Sequence, residues 1–140
     1  MEGTYEVMTT SGRFDDAMPI PATRLGLSKI HAEPGSVAIS GRVDPVLDAD
    51  PALIHALAAA TLDSAVDRAV RAALAAGHDA TTIELKIRFA RPFNSTSGIM
   101  TCRASVVELG EHLGTVSAHI VDSAENVYVE ADATCLIRRS

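Results

Sequence analysis

Aromatic residues are scarce in this sequence. It has no tryptophan, and Phe, Trp and Tyr together make up 4% of its 140 residues, although 47% of the residues are hydrophobic. The core therefore has to be built from Ala, Val, Ile and Leu side chains. A chain of this length can bury one such core in a single domain.

Cysteine is also rare, because the chain contains only Cys102 and Cys135. Both occupy apolar positions of strand-like segments, which is typical of reduced core residues in a cytosolic protein. Two cysteines cannot form a cysteine-rich metal site, and the five histidines have no metal-ligand spacing. We therefore expect no metal site.

Basic residues are outnumbered, since 12 Lys and Arg stand against 18 Asp and Glu and the formal net charge is −6. Proteins that bind nucleic acids need a basic surface, so this balance argues against a nucleic-acid partner. No apolar run approaches the ~20 residues that a membrane span needs, and no signal-peptide pattern opens the chain. The sequence predicts a cytoplasmic protein without a membrane span.

Local signals divide the chain into a loose N-terminal segment, residues 1–18, and a single domain, residues 19–140. Prolines at the start of the stretch 19–29 and a glycine near its end indicate a short helix or turn. The next segment alternates between apolar and polar residues on both sides of Pro34-Gly35, which predicts a β-hairpin with its turn at this dipeptide.

A long alanine-rich helix follows, and we expect Asp50 as its N-cap, Pro51 as its first residue and Gly77 as its end. On a helical count from Pro51, Asp63 falls at about 120° and His55 at about 40°, both within the apolar arc. A buried carboxylate is costly unless it is paired, so Asp63 is a candidate functional acid. The alternatives are that Asp63 is solvated at the edge of the polar face and that His55 is a core histidine.

After the helix the apolar residues recur with a period of two, which indicates four strands. In the first of these, one face carries Ile83, Leu85, Ile87 and Phe89, and the other carries Thr82, Glu84, Lys86 and Arg88. Two strands, one helix and four strands predict an α+β domain, with a six-stranded antiparallel sheet wrapped around one long central helix. One helix cannot also cover every sheet edge, so we expect two chains to associate.

The segment TLDSAVDRAVRAALAAGHDATTIELKIRFARP, residues 61–92, resembles the helix and following strand of hotdog-fold acyl-CoA thioesterases of the phenylacetic-acid-degradation (PaaI-like) type. The specific part of the match is LDSA at the correct distance from TTIEL and RP, and the resemblance covers nearly all of residues 19–138. It implies the hotdog fold, assembly as a homodimer or a dimer of dimers, and acyl-CoA thioesters as substrates. It also implies that the protein has no resident cofactor, because CoA would enter as part of the substrate.

The resemblance also implies roles for individual residues. Asp63 matches the catalytic carboxylate of the family, which acts as general base on water or as nucleophile. Thr82 matches a Ser/Thr that helps to hold the catalytic water or the carboxylate. The implied partner of the acid is a backbone N–H at the helix start of the facing subunit, which would polarise the thioester carbonyl.

The helix start is where the sequence departs from the family pattern, which usually reads HGG with the His nine residues before the acid. Here His55 lies eight residues before Asp63, and Ala56 and Leu57 stand in place of the glycines. The enzyme is therefore one hypothesis, with His55, Ala56 and Leu57 on its oxyanion side. The alternative is a non-catalytic protein of this fold that binds acyl-CoA or another apolar ligand. A dehydratase is a third option, but it generally needs a histidine where this chain has Arg68.

Arginines are the expected contacts to the phosphates of CoA, because a planar guanidinium fits a phosphate group. The strand-like segments carry five candidates: Arg88, Arg91, Arg103, Arg138 and Arg139. Arginines on strands are more often solvated, and the sequence alone selects none of the five.

Overall fold

The computed structural model describes residues 17–139, and the predicted loose segment, 1–18, lies almost entirely outside this range. The helices and strands in chain order are α1 (Ile20–Leu25), β1 (Leu27–Glu33), β2 (Ser36–Arg42), α2 (Pro51–Ala73), β3 (His78–Phe89), β4 (Ile99–Leu109), β5 (Leu113–Val121) and β6 (Val127–Arg139). Two short 3₁₀ helices, Pro45–Ala49 and Ser95–Ser97, precede α2 and β4.

The six strands form one antiparallel sheet in the order β1-β2-β4-β5-β6-β3. One face of this sheet packs against α2, which has 23 residues. The predicted α+β architecture, with six strands around one long helix, is therefore confirmed. Because β3 lies at one edge of the sheet, its second side has no strand neighbour within the described residues.

The start of α2 is as predicted, but its end is not. The Asp50 side chain accepts a hydrogen bond from the Leu53 N–H, and Pro51 is the first helical residue. The helix ends at Ala73 and not at Gly77, because Leu74 adopts an extended conformation and its side chain is buried. Gly77 instead has a φ of 81° in the turn before β3, a conformation that glycine adopts without strain.

The alternation predicted for β3 is interrupted by a β-bulge. Thr82 pairs with Cys135 and Glu84 with Thr134, so Ile83 is an extra residue without a partner on β6. Ile83 is 56% exposed, whereas Leu85 and Ile87 pack against the core, so the prediction that Ile83 shares their face is wrong. Residues opposite each other on neighbouring strands share a face of the sheet. Thr82 therefore faces α2 together with the buried Cys135, and not the outer surface.

The core between α2 and the sheet is aliphatic, as the composition predicts. Its largest fully buried side chains are Leu25, Ile39, Ile54, Leu62, Met100, Ile120, Val37, Val43, Val66, Val70, Val116 and Val121. Cys102 and Cys135 are both buried, which confirms the prediction that they are core residues. Burial raises the pKa of the Cys102 thiol to about 12. No helix in the range 17–139 has the length and hydropathy needed to cross a membrane.

Candidate active site

A cavity of about 340 Å³ lies between the second half of α2 and the first half of β3. It is lined by Asp63, Ser64, Asp67, Arg68, Arg71, Ala80, Thr81 and Thr82. Two of the residues singled out from the sequence, Asp63 and Thr82, are thus brought together from different elements. The bulge in β3 makes this possible, because it places the Thr82 side chain on the face of the sheet that α2 covers.

Asp63 is only partly exposed, and its Oδ1 is buried without a hydrogen-bond partner in the described structure. Most buried polar atoms in proteins have such a partner, because desolvation without compensation is costly. A carboxylate oxygen in this position is able to accept a proton or a hydrogen bond from a molecule in the cavity. The alternative that Asp63 is simply a solvated residue of the polar face does not account for the buried Oδ1.

The Thr82 hydroxyl lies 3.9 Å from the Sγ atom of Cys135, its partner across the strand pair. Burial raises the pKa of the Cys135 thiol, which is therefore neutral at physiological pH. A neutral thiol is a weak donor and acceptor, so this contact orients the hydroxyl without engaging it strongly. The Thr82 hydroxyl thus remains able to bond to a molecule beside Asp63.

Arg71 forms hydrogen bonds to residues of both α2 and β3 in the wall of the cavity. Its Nε donates to both oxygens of Asp67, at 2.9 and 3.0 Å, and its two terminal nitrogens donate to Asp79 and to the Ala80 carbonyl. The Ala80 N–H and the Arg71 guanidinium hold the pKa of Asp79 below its ordinary value. These contacts fix the start of β3 against α2 and compensate the charge of Asp67, whereas the Oδ1 atom of Asp63 has no partner among residues 17–139.

The oxyanion residues expected from the resemblance lie elsewhere on α2. The His55 ring stacks on Phe89 with a centroid distance of 4.2 Å and an interplanar angle of 12°. Ala56 is exposed, and Leu57 is half-buried against the core. None of the three lines the cavity of the same chain, and at 1.5 Å per residue His55 lies about 12 Å along the helix axis from Asp63.

The start of α2 also determines which backbone N–H groups are available. Because the helix begins at Pro51, Ala56 and Leu57 are its sixth and seventh residues, and their N–H groups point to carbonyls four residues earlier. The N–H groups of Leu53 and Ile54 bond to Asp50. The cap therefore satisfies one of the N–H groups that a helix start usually leaves open, that of Leu53, whereas the Ile54 N–H forms the first regular bond of the helix.

The sequence pattern did not identify Ser64, Arg71 and Thr81 as cavity residues. All three look like ordinary surface residues, because they occupy the polar face of a helix or alternate positions of a strand. The one signal was the position of Ser64 directly after Asp63 within LDSA. No group of three or more His, Cys, Asp and Glu side chains is placed to hold a metal ion in the part of the chain that the structure describes.

Comparison with known families gives a match to the Thioesterase superfamily over residues 52–129, which is more than half of the chain. The matched range contains both Asp63 and Thr82. A search of the curated proteins finds no match to the sequence.

Solved structures share the fold over most of the chain. A thioesterase family protein from Silicibacter pomeroyi has a TM-score of 0.71 and 21% identity, and the alignment covers 99% of this chain and 98% of that one. The E. coli PaaI protein from the phenylacetic acid degradation operon has a TM-score of 0.67 and 18% identity, and the alignment covers 97% of this chain and 90% of that one. The structure of smu.793 from Streptococcus mutans bound to acetyl CoA has a TM-score of 0.62 and 16% identity, and the alignment covers 82% of this chain and 89% of that one.

Identities this low establish the fold alone, and membership of the family rests on the match to its sequence model. Together they confirm the resemblance noted in the sequence. The chain belongs to the thioesterase superfamily and has the hotdog fold.

Proposed function

We propose that this protein is an acyl-CoA thioester hydrolase in which Asp63 is the catalytic carboxylate. The observation that carries the proposal is the buried Oδ1 of Asp63, which has no hydrogen-bond partner in the described structure and borders a polar cavity of about 340 Å³. Membership of the thioesterase superfamily supports the reaction class. The acetyl CoA bound to smu.793, a protein of the same fold, supports CoA thioesters as the substrate class.

In this proposal the Asp63 carboxylate activates the attack on the thioester carbonyl in one of two ways. As a general base, it takes a proton from water while the water oxygen bonds to the carbonyl carbon. As a nucleophile, its own oxygen bonds to that carbon, and water then hydrolyses the resulting anhydride. In both cases the C–S bond breaks and the acyl group leaves as a carboxylic acid. The CoA sulfur, which departs as a thiolate, takes the proton that water gives up and so becomes the thiol. The Thr82 hydroxyl holds the water or the carboxylate in position.

A second copy of the chain completes the site in this proposal. β3 is a 12-residue edge strand that carries Ile83 at 56% and Phe89 at 38% exposure. A long edge with exposed apolar side chains is unfavourable in a monomer unless another chain covers it. Pairing of two β3 edges produces a homodimer, or half of a dimer of dimers, with the Asp63 cavity beside the interface. The helix start of the second copy then supplies the N–H that polarises the carbonyl. The two reduced, buried cysteines fit a cytoplasmic location.

The start of α2 favours a second candidate function, a non-catalytic protein that binds acyl-CoA or another apolar ligand. The N–H groups of Ala56 and Leu57 lie within the helix, and Leu57 packs against the core where the family has a glycine. A site without an open N–H loses the electrostatic stabilisation of the developing oxyanion, which is often the largest contribution to catalysis. Such a protein retains Asp63 and the fold without turnover.

Thiol release from a panel of short, long and aryl acyl-CoAs tests the proposal, with wild type, Asp63→Asn and Asp132→Asn measured in parallel. Asn keeps the shape of the side chain and removes its charge. Asp132 is an exposed acid on β6 and serves as the matched control. Turnover by wild type and by the control but not by Asp63→Asn supports the hydrolase. Absence of turnover with every thioester, combined with CoA binding, supports the binding protein instead.

A further inference from the structure

A second hollow, of about 350 Å³, lies at the end of the sheet where β6 finishes and β3 begins. It is lined by His78, Glu111, His112, Ile137, Arg138 and Arg139. Backbone pairing fixes its shape, since His78 lies opposite Arg139 and the Ile137 N–H donates to the His112 carbonyl at 2.8 Å. Two strand ends and the turn between β4 and β5 thus place two arginines and two imidazoles around one depression.

The five candidate arginines fall into two groups according to their contacts. Arg88 is paired with Glu130, Arg103 binds Glu125 in bidentate fashion at 2.8 and 3.0 Å, and Arg91 lies over the Tyr128 ring at 5.2 Å. These three of the five candidate arginines are therefore engaged with side chains of the protein.

Arg138 and Arg139 differ from the other three. Arg138 donates to the Thr81 hydroxyl at 3.0 Å and lies opposite Asp79, whose pKa its charge helps to lower. Within residues 17–139 neither arginine lies close enough to a carboxylate to form an ion pair. Glu111, the acid in the hollow, is 3.5 Å from His112. Both guanidinium groups are exposed at the end of β6, where a ligand can reach them.

Thr81 connects this hollow to the Asp63 cavity. It lines the cavity and accepts the hydrogen bond from Arg138, which lines the hollow. Along β3 the distance from Thr82 to His78 is about 13 Å, at ~3.3 Å per residue. The pantetheine arm of CoA is as long as four or five extended residues, which is ~15 Å. A thioester beside Asp63 therefore places the phosphates of the same molecule within reach of the hollow.

We infer that Arg138 and Arg139 bind the phosphate groups at the nucleotide end of CoA, an assignment that rests on the proposed acyl-CoA substrate. A guanidinium presents its donors as a planar fork that matches two phosphate oxygens, and charge-assisted bonds of this kind are the stronger ones. His112 and His78 border the same hollow and supply further ring N–H donors. The pair of arginines selects CoA thioesters over thioesters without phosphates.

Calorimetric titration with free CoA tests this subsite independently of hydrolysis. The variants are Arg138→Ala/Arg139→Ala and the matched control Arg42→Ala, which removes an exposed arginine at the end of β2, four strands away from β3 in the sheet. We expect the double variant to bind CoA about tenfold more weakly than wild type, the size expected for lost bonds between charged groups. We expect the affinity of the control for CoA to stay within about twofold of wild type. We expect the affinity of the double variant, but not that of the control, to depend less on salt concentration than that of wild type.

The subsite is overturned if the double variant binds CoA as tightly as wild type, if Arg42→Ala loses as much affinity, or if wild type does not bind CoA. Turnover of an acyl-pantetheine thioester, which has no phosphate, distinguishes a loss of phosphate contacts from a folding defect. A correctly folded double variant should hydrolyse this thioester at the wild-type rate. A loss there as well overturns the phosphate role. If the double variant hydrolyses acyl-CoA and binds CoA with unchanged affinity, the subsite is refuted but the proposed hydrolase activity is not. If CoA binds through the arginines but no acyl-CoA is hydrolysed, only the proposed hydrolase activity is refuted.

Discussion

Asp63 and Thr82 line the same cavity, although strict alternation along β3 places Thr82 on the face away from the helix. The β-bulge at Ile83 accounts for this, because the extra residue shifts the side chains on either side of it by one position. Thr82 and the apolar residues that follow the bulge therefore all face α2. A backbone irregularity of one residue brings a hydroxyl to the candidate catalytic acid.

The first prediction concerns this hydroxyl. Thr82→Val keeps the shape of the side chain and removes one hydrogen-bonding group, so we expect kcat/KM for an acyl-CoA to fall by about five- to tenfold, as for the loss of one hydrogen bond. Thr134→Val on β6 is the control, since Thr134 lies opposite Glu84 and does not line the cavity. Equal kinetics for both variants and wild type would show that Thr82 has only a structural role.

The second prediction concerns assembly through the β3 edge. Ile83→Lys places a charge on the exposed bulge, and we expect it to convert the oligomer to a monomer because an edge lysine opposes pairing with another strand. Val107→Lys is the control, as Val107 is a 69% exposed apolar residue on β4. Light scattering coupled to size-exclusion chromatography gives the mass of each protein. A monomeric wild type, or an Ile83→Lys variant of unchanged mass, argues against the proposed interface.

Most of the fold is predictable from local signals. The period-two segments gave the six strands, and Asp50-Pro51 gave the start of α2, because the cap chemistry is contained in the neighbouring residues. The end of the helix was misplaced because Gly77 is a strong local stop signal, whereas the actual stop depends on Leu74 turning into the core. That burial is a long-range contact, which local pattern reading does not include.

The candidate site was predictable only in part. Asp63 could be identified because its position on the helix conflicts with the apolar pattern around it. The residues of the cavity wall could not be identified from the sequence. Arg71, for example, becomes part of the wall only when β3 folds back and brings Asp79 and Ala80 to its guanidinium. The bulge that reorients Thr82 likewise depends on pairing with β6, and the sequence of β3 alone reads as an uninterrupted alternation.

A third prediction concerns the capped start of α2. Asp50→Ala removes the side-chain acceptor of the Leu53 N–H, and we expect the free energy of unfolding to decrease by about 1 kcal/mol, the usual cost of losing an N-cap. Asp50→Ser retains an accepting oxygen and should recover most of that loss. Urea denaturation of the three proteins gives the comparison, and an Asp50→Ala variant as stable as wild type would show that the cap does not contribute.

A fourth prediction is a dependence of stability on pH. In the turn between β5 and β6, Asp122 accepts hydrogen bonds from Asn126, Tyr128 and the Ala124 N–H, which hold its pKa at about 2, below the ordinary 3.8. Because the pKa is lower in the folded state, the stabilisation is complete above the unfolded value and is lost as the pH falls toward the folded one.

Asp122→Ala should therefore be less stable than wild type at neutral pH, and the difference should shrink as the pH falls from about 4 toward 2. Urea denaturation over this range measures it, with Ser123→Ala in the same turn as the control. A difference between Asp122→Ala and wild type that stays constant down to about pH 3 would contradict the assigned pKa, because protonation of Asp122 would then not be linked to folding.

The catalytic role of Asp63 is decided by the steady-state hydrolysis of the best acyl-CoA by wild type and Asp63→Asn. We expect kcat to fall by at least about 100-fold in the variant, the range of general-base contributions. We expect calorimetry to show that the variant still binds CoA within a few-fold of the wild-type affinity. Equal kcat values for the two proteins would contradict this role, because the acid in the cavity would then have no part in the reaction.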